Sequence, residues 1–103
     1  MSSTTDFIVE LVRAANELTN LSNDERRRLV DRAVRMVREM RIESGVRPGR
    51  RGQDPLRDIE IAALMVEASG NDDDLKAVLL DLADMIRTLK IVLDAKADVL
   101  KGQ

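Results

Sequence analysis

From Asp73 to Lys101 the chain has neither glycine nor proline, and its apolar residues return every seven positions. Leu75, Leu82 and Leu89 mark the period. Val78/Leu79, Met85/Ile86, Val92/Leu93 and Val99/Leu100 fill the alternate seam positions. Such a pattern belongs to one unbroken helix with a heptad-like stripe. At about 1.5 Å per residue that helix is roughly 42 Å long. A compact domain of about a hundred residues has a radius of gyration near 13 Å, so its diameter is shorter than the helix. The stripe therefore predicts an all-α fold whose C-terminal helix reaches past its own subunit.

Three further helices can be read upstream. The first spans about 5–20, with Ile8, Leu11, Val12, Ala15 and Leu18 as its apolar stripe and Phe7 beside it. The second spans 22–44. Ser22 followed by Glu25 is a capping-box pattern, Leu21 sits at the staple position, and Gly45 is a left-handed stop. The third spans 55–69, with Asp54 as cap, Pro55 at the first helical position and Gly70 closing it. It is apolar over a wide arc, from Leu56 and Ile59 through Ala62, Ala63, Met65 and Val66, and is expected to be the most buried of the four. Asn71 to Asp74 cap the fourth, at 73–101. Short turns join helices one to two and three to four, which predicts a four-helix bundle of two antiparallel helical hairpins in one domain, 1–103. Between the hairpins, 46–53 carries two glycines and a proline and reads as a flexible basic loop.

The residue types that are missing exclude most chemistry. There is no Cys, hence no disulfide, no thiolate nucleophile and no cysteine–zinc site. There is no His, which removes the commonest general base and transition-metal ligand. Asp72, Asp73 and Asp74 suit a helix start by charge, and lack the roughly twelve-residue ligand spacing of a calcium loop. Asp81/Asp84 and Asp94/Asp98 share helix faces, without a sign of the concave site that acid–base work needs. The expectation is a protein that is not an enzyme and uses no cofactor or metal. With a polar N-terminus and no long apolar run, it is also expected to be cytoplasmic, without membrane contact.

Charge is divided unevenly. Residues 1–53 hold eleven Arg against eight acids, and residues 54–103 hold six bases against eleven acids. On a helical wheel the second helix spreads its arginines opposite its apolar side. Arg28, Arg32, Arg35 and Arg38 could meet phosphates, which makes nucleic-acid binding the alternative reading. Against it stand the interspersed Glu39 and Glu43 and a chain with Phe7 as its single aromatic residue, where single-strand binders stack bases on aromatics.

The last helix also has a second apolar face. Leu80 and Ile91 lie eleven residues apart, about three turns, with Ala77 and Ala95 beside them. A homodimer with two such helices packed antiparallel would cover it, since twofold contacts are self-complementary. The expected function is that of a small regulatory or adaptor protein that binds another protein through helical surfaces. Leu80, Ile91, Val99 and Leu100 would supply apolar contact, and Arg47, Arg50 and Arg51 in the loop would pair with an acidic partner.

Overall fold

A computed structural model of the protein describes residues 3–45 and 55–101, without the side chains of 55, 67–69, 100 and 101. The described chain is all-α: α1 (Ser3–Asn16), α2 (Asn23–Ser44), α3 (Pro55–Ser69) and α4 (Asp72–Lys101), with a 3₁₀ turn at Leu18–Asn20. The basic loop at 46–53, with Arg47, Arg50 and Arg51, and the Asp54 cap lie outside the described residues.

Helix ends follow the local chemistry. α1 starts two residues before the expected Thr5 and stops earlier, because Glu17 leaves helical geometry at φ −126°, ψ 39°. Asn16 Nδ2 donates back to the Val12 carbonyl at 3.1 Å, and the 3₁₀ turn then carries Leu18 inward. At α2 the capping box closes both ways: the Glu25 amide donates to Ser22 Oγ, and the Ser22 amide donates to Glu25 Oε1. Leu21 is half-buried, but the position it would staple is Arg26 and not an apolar residue. Gly45 ends α2 at φ +78° and donates to the carbonyls of Arg41 and Ile42. Gly70, at φ +70°, ends α3 and donates to the Val66 carbonyl. Asn71 Oδ1 accepts from the Asp73 and Asp74 amides and opens α4.

α4 is the shared neighbour of the other three helices. α1 and α2 contact it most extensively and α3 less, while α3 also touches α2. α2 and α4 run in the same direction: Arg26 meets Asp72 at their starts, and Lys96 Nζ donates to the Glu43 carbonyl at their ends. α1 runs the opposite way to α2 and meets it through side chains, with Arg32 over the Phe7 ring at 4.5 Å and facing Glu10 at 3.7 Å. The shortest dimension of the molecule is 17 Å, which is two helix layers at an ordinary separation of about 8–10 Å.

The core is aliphatic around one ring. Phe7, Leu11, Leu79, Leu82, Ile86 and Val37 are its fully buried large side chains. The α1 stripe is rotated from the expected one: Phe7 and Ala14 are buried, Ile8 is half-buried and Val12 is exposed. α2 buries Val30, Ala33, Val34, Val37 and Met40.

α3 reverses one expectation. It is not the most buried helix. Among its described side chains only Leu56 and Val66 are buried, while Ile61, Leu64 and Met65 are 48%, 67% and 67% exposed. Its apolar residues go round the whole helix, but only Leu56, Ile59, Ala62, Ala63 and Val66, at three- and four-residue spacing, pack on the core. Apolar content measured how much could be buried, not how much the neighbours cover.

Candidate functional site

Three uncovered regions are candidates for function. The first is the C-terminal part of α4. Its stripe is buried at Leu75, Val78, Leu79, Leu82, Ile86 and Leu89. From Ile91 to Val99 no residue is buried, although the alternate seam positions Val92/Leu93 and Val99 remain apolar; the leucine series itself gives way to Lys96. Ile91 is 61% and Val99 63% exposed, Val92 is more than a third exposed and Leu93 half-buried. Lys90 Nζ holds Asp94 Oδ2 at 2.6 Å one turn on.

The structure separates the two residues expected to form a second face. Leu80 is half-buried and packs on the core, whereas Ile91 stands clear of it. Three turns of helix are enough to carry one face from beneath its neighbours to beyond them. Val99 is exposed as expected, and nothing is described of the Leu100 side chain.

The second region is the outer side of α3. Ile61, Leu64 and Met65 follow the three- and four-residue spacing of a single helix face. Met65 belongs to the apolar arc expected in the core, whereas Ile61 and Leu64 lie outside that arc; all three are exposed. A wheel drawn for α3, with apolar residues on both sides of it, would have signalled the surplus.

The third is a cleft of about 680 Å³ between α2 and α3, floored at one end by the start of α4. Val30, Val34, Ala63, Val66 and Leu75 line it with apolar atoms, and Leu64 stands on its lip. Ion pairs span both ends. Arg26 Nη1 donates to Asp72 Oδ1 at 2.8 Å, and Arg38 Nη2 donates to Glu60 Oε1 at 2.5 Å. A smaller groove of about 340 Å³ between α1 and α2 has walls of mixed charge, among them Glu10, Arg13, Glu25 and Arg28.

The arginines of the nucleic-acid alternative do not act as one surface. Arg32 is taken up by Phe7 and Glu10, and Arg38 by Glu60. Arg28 lines the α1–α2 groove and Arg35 the α2–α3 cleft, so the two open to different sides of α2. Among the described residues no three acidic side chains gather as a metal site, and no helix is long and apolar enough to cross a membrane. Asp72 instead faces Arg26, and the amides of Asp73 and Asp74 serve the Asn71 cap.

No protein-family model matches this chain, and neither a curated protein nor a solved structure matches it.

Proposed function

We propose that this chain, a four-helix bundle in which α1, α2 and α3 pack on α4, is a small non-catalytic regulatory or adaptor protein that works by binding other proteins through helical surfaces. It first binds itself, as a homodimer in which the C-terminal segments of two α4 helices pack antiparallel. The observation that carries the reading is the stripe that outlasts its cover. The alternate seam positions stay apolar through Val92, Leu93 and Val99, with Lys96 where the leucine series would continue, while among the described residues burial within the subunit ends at Leu89. An apolar period maintained over exposed turns has a physical use when another helix completes the seam. A twofold arrangement lets Val92 and Val99 of one copy meet the same residues of the other in reverse order. Apolar residues on the outer side of α3 leave a separate surface for a different protein.

Sedimentation equilibrium over a range of concentrations tests this reading. The expected result is a reversible dimer that Ile91→Asp combined with Val92→Asp converts to monomer. Both positions are exposed, so the folded helix content should stay unchanged by circular dichroism. A wild-type chain that is monomeric at every concentration would remove the self-association.

A further inference from the structure

We propose that α3 is a detachable cover: it opens as a unit about Gly70 while α1, α2 and α4 stay packed. The opening controls how much apolar surface the subunit shows. It goes beyond the protein-binding reading and does not depend on the dimer.

Packing sets α3 apart from the other helices. α1, α2 and α4 each carry an unbroken buried row, such as Val30, Ala33, Val34, Val37 and Met40 on α2. Among the described side chains of α3 only Leu56 and Val66 are buried, about three turns apart, and Ile59, Ala62 and Ala63 between them are half-buried. A segment leaves a fold most cheaply where it buries least apolar surface. α3 also stands off from α2 across a cleft of about 680 Å³. Arg38 crosses that cleft to Glu60, but its side chain is 60% exposed, and a pair so open to water holds little.

The start of α4 is secured without α3. Asn71 Oδ1 accepts from the Asp73 and Asp74 amides, and Arg26 of α2 holds Asp72. All of these ties lie beyond Gly70. Gly70 itself has no atom within 4 Å of an added Cβ, so its backbone can turn without collision. The chain thus changes from a loosely packed helix to a firmly tied one across a single glycine.

Opening has a direct consequence for the surface. Val30 and Val34 of α2 and Leu75 of α4 line the cleft together with Ala63 and Val66 of α3. When α3 leaves, the first three lose part of their cover, and Leu56 and Val66 are released on α3. Any molecule that prefers these residues uncovered draws the equilibrium toward the open form.

Hydrogen–deuterium exchange read by mass spectrometry tests the opening. Relative to their intrinsic rates, the amides of 60–66 should exchange at least about a hundredfold faster than those of 82–89 in α4. In dilute urea the α3 rates should rise little, because a local opening exposes little surface, while the α4 rates rise steeply. Phe7→Leu lies in α1, which makes no extensive contact with α3 among the described residues. It should speed exchange in α4 about tenfold and leave α3 unchanged. Val66→Ala should speed α3 about tenfold. Equal protection in α3 and α4 overturns the proposal. So does α3 exchange that quickens in step with α4 on Phe7→Leu or in dilute urea, because α3 would then open only when the whole chain unfolds. Exchange of α3 at its intrinsic rates overturns it as well, since no closed form would exist. Should Phe7→Leu fail to fold, the urea series on the wild-type chain decides alone.

Discussion

Arg26 holds Asp72 across forty-six residues of sequence: its Nη1 donates to the carboxylate at 2.8 Å, while its Nη2 donates to the Leu18 carbonyl at 2.6 Å. One planar guanidinium thus ties the 3₁₀ turn, the first turn of α2 and the first turn of α4. It occupies the α2 position where an apolar residue would have stapled Leu21. The parallel course of α2 and α4 is fixed at this end by that fork and at the other by Lys96 on the Glu43 carbonyl. The same ion pair forms one end of the α2–α3 cleft.

Arg26→Ala should therefore cost stability out of proportion to an ordinary surface pair. Hydrogen bonds to charged groups contribute about 1.5–3 kcal/mol each when the partner is otherwise left buried. Asp72 is close to half exposed and recovers hydration when released, so the expected total loss is about 2 kcal/mol. Arg26→Lys should recover only part, because an ammonium lacks the fork that reaches two acceptors in different directions. Urea unfolding followed by helical circular dichroism measures both, and equal stability of wild type and Arg26→Ala would contradict the tie.

The two ends of α2 give smaller and separable effects. Ser22→Ala removes the side-chain half of the capping box and should cost about 1 kcal/mol. Gly45→Ala forces a Cβ into left-handed backbone at φ +78°, with no atom within 4 Å of the added carbon. Its cost is conformational alone, about 1 kcal/mol, and Gly45→Asn should cost less. Thermal melts of the single and double variants should show additive losses, since the sites lie at opposite ends of the helix.

The elements themselves were legible because their signals are local. Ser22 with Glu25, Gly45, Gly70 and Asn71 each act within a few residues, and each works in the structure as its chemistry requires. The early end of α1 was not legible, because it depends on Asn16 turning back to Val12 and on Leu18 finding a place in the core. Burial in α3 was not legible either. Ile61, Leu64 and Met65 are as apolar as Leu56 and Val66, and only the placement of α4 decides which set is covered. The cleft depends on how far α2 and α3 stand apart. No spacing within one helix encodes that, although Arg38 and Glu60, which bridge it, were both in plain view.

The stripe of α4 allows a comparison within one helix. Leu82 is fully buried at the centre of the core, and Leu82→Ala should cost about 2–5 kcal/mol through lost transfer energy and the cavity left behind. Val99 is 63% exposed, and Val99→Ala should change monomer stability by no more than about 0.5 kcal/mol. Val99→Ala should nevertheless weaken the dimer. Urea unfolding at two protein concentrations separates the effects: the Leu82 loss is present at both, and the Val99 loss grows with concentration. A Val99→Ala loss equal at both concentrations would place that residue in the subunit's own fold.

Ile61→Lys and Met65→Lys test the outer side of α3. In a core helix either change would bury a charge without a partner, at a cost of several kcal/mol. Here both side chains are about half exposed or more, at 48% and 67%, so a lysine can keep its ammonium in water. The double variant should unfold within about 1 kcal/mol of wild type. It should also bind less of a dye that reports exposed apolar surface, because the ridge shared with Leu64 would be broken by charge. Cooperative unfolding lost in the double variant would mean that α3 buries this face after all, and the ridge could then serve no partner.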